Sequence, residues 1–253
     1  MGETAQGAQI GKGRALVVIP TYNEAENVRP ITKAVREAVP QVHVLVVDDN
    51  SPDGTGKLAD EIAVGDPQVF VLHRPGKEGL GRAYLDAFRW ALARGYERII
   101  EFDADFSHNP KYLPEMLAAL ERSDVAVGSR YVAGGGTENW GVLRKIISSG
   151  GSFYSRAVLG VKIRDLTAGF IGWNRRVLEA IDLGRVQSAG FAFQVEMKYR
   201  ALRKGFRIEE VPIIFVDRQV GTSKMSRRIL FEALGRVWQV RSHVRREEKA
   251  EGR

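Results

Sequence analysis

The chain has 253 residues, of which 44% are hydrophobic and 27% are charged, a composition typical of a soluble globular protein. This length allows one large α/β domain or two small ones. The absence of cysteine excludes disulfides and thiolate metal sites, and no apolar run approaches the roughly 18 residues of a membrane-spanning helix. Residues 1–14 lack the apolar core of a signal peptide, so we expect a disordered N-terminal tail there and a cytoplasmic protein.

Apolar runs alternate with amphipathic segments through the first half of the chain. The short continuous runs predict strands over 15–19, 42–47, 69–72 and 98–102. The segments between them predict helices over 27–39, 58–64 and 79–92. The first helix should begin near Asn27, because Pro30 is tolerated only in a first turn. Strands that alternate with helices indicate an α/β fold with a mostly parallel central sheet flanked by helices.

The second half of the chain is less regular. It predicts helices over 110–122, 144–159 and 191–204, and strands over 125–127, 170–173 and 208–216. The pair Gly150-Gly151 lies inside the second of these helices and can break it, because glycine is a poor helix former. The glycines at 134–136 predict a flexible loop, and the polar run 219–226 predicts a mobile loop.

Polar side chains gather where three of the predicted strands end. These clusters cover 21–24, 48–53 and 103–105. Ligands bind outside the carboxyl ends of the strands of a parallel sheet, so we expect the three clusters to share one site. No GxGxxG follows the first strand and no GxxxxGK motif is present, which disfavours a dinucleotide site and a P-loop.

The acidic pair Asp103 and Asp105 is the centre of this predicted site. Alternate side chains of an extended segment face the same side, so both carboxylates can aim at one point beyond the strand. Two hard oxygens in this position suit Mg²⁺ or Mn²⁺, with phosphate oxygens completing the shell. A pair of this kind also occurs in solvated turns, and the neighbouring polar clusters are what favour a metal site here.

The net charge of +7 belongs mostly to the C-terminal end, since residues 218–253 contain ten Lys or Arg and four Glu. Apolar residues recur there at helical spacing from Ile229 to Val240, flanked by arginines, which predicts a basic amphipathic helix and tail over 225–253. Such a helix can lie in an anionic membrane interface or pack on its own domain. A basic tail can also serve nucleic acid.

Several motifs carry a resemblance to a known family. They are VIPTYNEAEN at 18–27, VDDNSPDGT at 47–55, DADFSH at 103–108, GSRY at 128–131 and DRQVGTSKM at 217–225. Together they resemble the inverting family 2 glycosyltransferases of GT-A fold, and among them the dolichyl-phosphate or polyprenol-phosphate mannose synthases. The resemblance covers the chain from residue 14 to about 228, and we expect a GT-A catalytic domain over 15–224.

The resemblance implies roles for residues at the first three strand ends. The guanosine of GDP-mannose would be held by Pro20, Tyr22, Glu24, Val46 and Asp48. Ribose, diphosphate and metal would be held by Asp103, Ala104 and Asp105. Asp105 would be the direct metal ligand, and Ser107 a weaker ligand that acts through water. Asp49 would brace the turn.

The resemblance also implies a set of cationic residues for phosphate groups. The acceptor phosphate would be received by Arg130, Arg144 and Ser148. Arg218 and Lys224 would grip the diphosphate or the acceptor phosphate, since arginine forks match phosphate oxygens. Asp105, Arg130, Arg218 and Lys224 then form the predicted catalytic set.

The implied reaction is transfer of mannose from GDP-mannose to a membrane polyprenyl phosphate, with Mg²⁺ or Mn²⁺ as cofactor and inversion to a β-linkage. A phosphate monoester has a second pKa of about 6, so the nucleophile needs no strong base. The enzyme would sit peripherally on the cytoplasmic face of a membrane, with a possible membrane-protein partner. Its predicted membrane contacts are segment 144–159 and the C-terminal basic helix.

Two rival interpretations stay open. The same fold could use UDP-glucose or another donor and acceptor. Alternatively, the chain could be a non-enzymatic basic α/β module that binds nucleic acid. The second rival leaves the three polar strand ends unexplained, and no nucleic-acid motif is recognisable, so we expect no nucleic-acid partner.

Overall fold

The computed structural model describes residues 11, 13–188, 190–216, 227–250 and 252, and at 143, 191 and 227–234 it describes the backbone alone. The strands in this part are β1 (Ala15–Thr21), β2 (His43–Asp48), β3 (Val69–His73), β4 (Arg98–Glu101), β5 (Val125–Ser129), β6 (Gly136–Glu138), β7 (Ile171–Asn174), β8 (Ile208–Pro212) and β9 (Ile214–Val216). The helices are α1 (Val28–Ala38), α2 (Thr55–Gly65), α3 (Leu80–Ala93), α4 (Leu113–Arg122), α5 (Val142–Leu159), α6 (Arg175–Ala180), α7 (Phe191–Arg203) and α8 (Arg227–Ala250).

Seven of the described strands form one sheet in the order β3-β2-β1-β4-β7-β5-β8. Neighbouring strands are parallel except at β7, which runs antiparallel to both β4 and β5. The predicted α/β fold with a mostly parallel sheet is therefore confirmed. Strands β6 and β9 pair with each other in a small second sheet.

The central sheet is buried on both faces because its strands are continuous apolar runs. Successive side chains of β1 point to opposite faces, so Leu16 and Val18 join one core cluster and Val17 and Ile19 join the other. Helix α3 covers the first face, and α1 and α4 cover the second. This packing holds the ends of β1, β2 and β4 in fixed relation to one another.

Helix α5 is continuous across Gly150 and Gly151, so the expected break does not occur. A glycine inside a helix costs only about 1 kcal/mol relative to alanine. The packing of the inner face outweighs this cost, because Val158 and Leu159 belong to a core cluster with residues of α7 and α8.

The predicted strand over 208–216 is two strands in two different sheets. Strand β8 pairs with β5 along its whole length. The last pair is Pro212 of β8 with Ser129 of β5, where β5 ends. The chain then bends, and β9 pairs with β6, so Gly136 lies in a strand instead of the flexible loop predicted over 134–136. This second sheet brings Phe215 toward the edge of the large sheet where the site lies.

Helix α8 packs on the domain through its apolar side. Val237, Val240 and Val244 are buried in one cluster with α5 and α7, while Trp238 is half exposed. Of the two placements left open by the sequence, the buried valines match packing on the domain. Within the described ranges, none of the helices combines the length and the apolar character needed to cross a bilayer.

The described chain begins earlier than the predicted domain boundary at residue 15. The backbone N–H of Gly11 donates to the carbonyl of Arg94 at 2.9 Å, and the guanidinium of Arg14 lies 2.7 Å from Nε2 of His43. These two residues of the predicted disordered tail are therefore anchored. Residues 1–10 and 12 lie outside the described part.

Candidate active site

The three polar clusters lie at one edge of the sheet. Strand β1 stands between β2 and β4, all three are parallel, and Thr21 is opposite Asp48 while Val18 is opposite Glu101. The chain therefore leaves all three strands on the same side, as predicted. We call the turns over 21–27, 48–55 and 103–108 the carboxylate side of the site.

Each turn of the carboxylate side contains a residue in the left-handed region. Asn23, Asn50 and Phe106 have φ values of 60°, 58° and 58°. Asparagine tolerates this conformation, whereas for a bulky residue such as phenylalanine it is unusual and costs free energy. Backbone strain of this kind concentrates at functional sites, and here it falls immediately after the acidic pair.

Hydrogen bonds between side chains and backbone join the first two turns. The buried carboxylate of Asp48 accepts from the hydroxyls of Thr21 at 3.1 Å and Ser51 at 2.6 Å. The backbone N–H of Glu24 donates to the hydroxyl of Thr55 at 2.9 Å. Asp48 is also packed against Gly56, where an added Cβ would lie only 2.7 Å from its Oδ2 atom. The two turns therefore form one rigid wall.

Tyr22 and Asp49 have different environments at this wall. Tyr22 is half-buried, and the ammonium of Lys77 lies 4.0 Å from the centre of its ring. Asp49 is buried and paired with the guanidinium of Arg74, which also binds Asp86 at 2.9 Å. Burial raises the pKa of Asp49, against the opposing effect of Arg74. Asp49 thus braces the turn, as predicted.

Pro20 and Glu24 lie at the same edge and are partly exposed. The side chains of two other residues predicted for the site, Val46 and Ala104, do not reach this edge. Val46 is fully buried within β2, and Ala104 is buried beside Phe102 in the same core cluster. Their apolar side chains support the sheet and the acidic turn.

The acidic turn offers oxygen atoms that suit a divalent cation. Asp105 accepts from the backbone N–H of Ser107 at 3.0 Å, which folds the turn back on itself. Asp103 and Asp105 are partly exposed, whereas Ser107 is buried and its hydroxyl has no partner among the described residues. Two carboxylates and an unpaired buried hydroxyl fit Mg²⁺ or Mn²⁺.

The described residues alone do not complete such a metal shell. No group of three or more His, Asp or Glu side chains with metal-binding geometry occurs in the ranges that the structure describes. His108 is buried with its Nδ1 atom 3.7 Å from Oδ2 of Asp103, and burial lowers the pKa of His108. The oxygen atoms of a bound diphosphate are ligands of the type that such a cation accepts.

A second set of residues is connected to the acidic turn through the ring of Phe215, and we call it the arginine side of the site. Its members are Arg130, Tyr131, Trp140, Arg144 and Ser148. The guanidinium of Arg144 lies 4.2 Å from the centre of the Trp140 ring. The hydroxyl of Tyr131 donates to that of Ser148 at 2.7 Å, so the three predicted phosphate-binding residues lie in one neighbourhood.

Arg130 is held in a buried ion pair. Its Nε and Nη2 atoms each donate to Asp165 at 2.7 Å, and Nη2 also donates to Thr167 at 2.9 Å. Burial alone would raise the pKa of Asp165, but the hydrogen bond and charge of Arg130 lower it. Arg130 is therefore rigidly placed. Its Nη1 atom takes no part in these bonds and has no hydrogen-bond partner among the described residues, so it remains as a donor for a ligand.

Aromatic rings connect the two sides of the site. Phe215 on β9 contacts the ring of His108 at 5.4 Å and that of Trp140 at 5.4 Å. The ring of Phe170 stacks on that of His108, with 5.3 Å between the ring centres. Trp140, Phe215 and Asp165 are not predictable from the sequence, because aromatic residues and a lone aspartate carry no motif of their own.

Arg218 and Lys224, from the predicted mobile loop 219–226 and the residues before it, lie outside the described part of the chain.

Solved structures of sugar-nucleotide enzymes resemble this fold. Glucosyl-3-phosphoglycerate synthase from Mycobacterium tuberculosis, solved with Mn²⁺, UDP and glucosyl-3-phosphoglycerate, matches with a TM-score of 0.60 and 16% identity over 93% of this chain and 80% of that chain. A mannosyltransferase from Pyrobaculum calidifontis with GDP-Man and Mn²⁺ matches with a TM-score of 0.56 and 16% identity over 94% and 75%. These likenesses show that the chain has the GT-A fold.

The chain belongs to glycosyl transferase family 2, whose model matches residues 16–182. Polyprenol monophosphomannose synthase from Mycolicibacterium smegmatis is 51% identical over 92% of this chain and 89% of its own length. Undecaprenyl-phosphate mannosyltransferase from Micrococcus luteus is 51% identical over 88% of this chain and 92% of its own length. Family membership disfavours the non-enzymatic interpretation.

Proposed function

We propose that the protein transfers mannose from GDP-mannose to a polyprenyl phosphate and forms a β-linked mannosyl phospholipid. The observation that carries this proposal is that the carboxylate side and the arginine side meet in one site. An acidic turn suited to a metal-bound diphosphate meets, through Phe215 and Trp140, a set of arginines suited to a second phosphate. Both relatives at 51% identity are named for mannose and a polyprenyl phosphate.

Asp103, Asp105 and Ser107 would hold Mg²⁺ or Mn²⁺, and the neighbouring structures named with Mn²⁺ favour a divalent ion. When bound, the ion neutralises negative charge that develops on a leaving diphosphate. Tyr22, Glu24 and Asp48 would position the nucleoside, since a tyrosine ring can stack on a base and a carboxylate can accept from its N–H groups.

The arginine side would orient the nucleophile. An oxygen of the acceptor phosphate attacks the anomeric carbon of mannose, while the bond from that carbon to GDP breaks and GDP leaves with the electron pair. The acceptor is largely ionised near pH 7, so the site needs no general base. Arg144, Ser148 and the Nη1 atom of Arg130 would fix its angle of approach, and positioning would supply most of the rate.

Helix α5 would meet the bilayer that carries the acceptor. Val142, Ile146 and Phe153 lie along one helical face and are 75%, 61% and 70% exposed, with the exposed Lys145 beside them. The same helix carries Arg144 and Ser148. The buried valines of α8 make that helix the poorer candidate, although its charged residues could still contact anionic lipid. The site would then work at the cytoplasmic face of the membrane.

Recovery of label in the organic phase tests the reaction. Radiolabelled GDP-mannose, polyprenyl phosphate and Mn²⁺ or Mg²⁺ should yield a labelled lipid with the wild-type protein. Labelled UDP-glucose under the same conditions should yield little. Preferential transfer from UDP-glucose would support the rival donor, and no transfer from either would overturn the proposal.

Flotation with anionic liposomes tests the membrane contact. The double variant Ile146→Glu/Phe153→Glu should leave the liposome fraction, because two charges in an apolar interface oppose insertion. Val64→Glu is the matched control, since Val64 is 90% exposed on α2, away from α5. Equal flotation of all three proteins would exclude α5 as the contact.

A further inference from the structure

Charged side chains are buried directly beneath the acidic turn. Glu101, at the end of β4, is fully buried and accepts from the indole N–H of Trp173 at 2.7 Å and from the amide of Gln194 at 2.5 Å. Lys198 lies one helical turn after Gln194, on the same side of α7, and is also fully buried. Neither Glu101 nor Lys198 has a part in the proposed reaction.

The ammonium of Lys198 holds a segment that reaches both sides of the site. Its Nζ atom donates to the carbonyl of Ala168 at 2.8 Å. Within the same segment, 165–169, Asp165 and Thr167 bind Arg130. At its other end, a Cβ on Gly169 would lie 3.9 Å from Oδ2 of Asp103. Lys198 therefore contacts this segment between its two functional ends.

Burying the charged ammonium of a lysine at this position costs free energy, so stability alone does not explain why Lys198 is there. Burial lowers the pKa of Lys198 to about 8, against the opposing charges of Asp165 and Glu101. Replacing buried ionic groups by apolar residues of similar volume is often neutral or stabilising. The lysine supplies what an apolar residue cannot, which is a directed bond to the Ala168 carbonyl and a positive charge facing Asp165.

We propose that Lys198 is a positioning residue that sets segment 165–169 and thereby the separation between Asp103 and Arg130. It touches neither substrate in this arrangement. Its effect on the reaction rests on the proposed function, whereas its effect on the segment does not. A displacement of about 1 Å between reacting groups can cost about a hundredfold in rate, so a small shift of the segment is enough.

Three variants test this role in the full-length protein. Lys198→Met removes the charge and the bond to Ala168 while keeping the volume. Glu101→Gln/Lys198→Met removes both buried charges. Arg203→Met is the control, because Arg203 lies on the same helix and pairs with Glu248 at the surface. Each is measured for Tm, for kcat and KM with both substrates, and for amide hydrogen exchange over 165–169.

Lys198→Met should lower kcat at least tenfold, change the KM for GDP-mannose less than threefold, and speed exchange of the segment at least tenfold. The double variant should recover Tm but keep the low kcat, and the control should resemble wild type. Recovery of kcat together with Tm would overturn the proposal, as would wild-type exchange in Lys198→Met. If the wild type itself transfers no mannose, the proposed function fails, and the exchange measurement alone decides this inference.

Discussion

The two sides of the site are built in different ways. On the carboxylate side, each turn comes at the end of a strand of the central sheet, and hydrogen bonds join the first two turns. The arginine side is assembled from distant segments, with Arg130 bound to Asp165 and ringed by Tyr131, Trp140 and Phe215. We therefore expect the fold to survive the loss of the partly exposed Asp105 side chain, whereas the arginine side depends on its buried contacts for its shape.

The largest expected effect is on the carboxylate side. Asp105→Ala should lower mannosyl transfer about a thousandfold, because a carboxylate ligand of the cation is lost. The fold should persist, since Asp105 is partly exposed. A radiolabel transfer assay beside a circular dichroism melt checks both statements. The control is Asp60→Ala, an exposed aspartate on α2 that should leave both unchanged. Substantial activity in Asp105→Ala would exclude the metal role.

On the arginine side we expect the opposite, that substitutions change the free energy of unfolding more than the rate of mannosyl transfer. Asp165→Asn leaves Arg130 buried without its carboxylate and should lower the free energy of unfolding by about 3–5 kcal/mol. Glu179→Gln, which removes an exposed pair with Arg175, should change it by less than about 1 kcal/mol. Denaturant titration measures both. Similar values for the two variants would show that the buried pair contributes no more than a surface pair.

The same ion pair predicts a pH dependence. The pKa of Asp165 is lower in the folded protein than in the unfolded chain, so its contribution is fully present above about pH 4 and is lost as pH falls through the lowered value. Below pH 4 the wild type should therefore lose stability more steeply than Asp165→Asn. Parallel melting curves of the two proteins across this range would contradict the assignment.

A smaller effect is expected where the first two turns meet. Gly56→Ala places a Cβ only 2.7 Å from Oδ2 of Asp48, which is too close for van der Waals contact. Overpacking of this kind costs about 1–3 kcal/mol. The KM for GDP-mannose should rise with it, because the displaced carboxylate belongs to the predicted nucleoside pocket. Gly65→Ala in the same helix has open space and is the matched control. A tolerated Gly56→Ala would show that this wall is adaptable.

The smallest effect should come from a single hydroxyl on the arginine side. Tyr131→Phe removes the bond to Ser148 and should raise the KM for polyprenyl phosphate about two- to tenfold, the range of one hydrogen bond. The buried Tyr199→Phe, whose hydroxyl has no partner among the described residues, is the control and should leave this KM unchanged. A change of kcat alone would instead place Tyr131 closer to the reacting atoms.

Sequence reasoning succeeded where local pattern and fold agree. Apolar runs and their polar ends predicted β1, β2 and β4 and the shared edge, because parallel strands place consecutive polar ends together. It was less successful beyond β5. The continuity of α5 depends on packing against α7 and α8, and the division of 208–216 depends on where β5 ends, which no local signal records.

The amino-acid sequence alone is sufficient to identify the carboxylate side, its acidic pair and the class of enzyme, since these reside in contiguous motifs. The partner of Arg130, the rings between the two sides and the lysine beneath them are separated along the chain by tens of residues. The packing of the helices and the second sheet brings these residues into contact. Neither segment of such a contact has a periodic or local pattern that would predict it from the sequence.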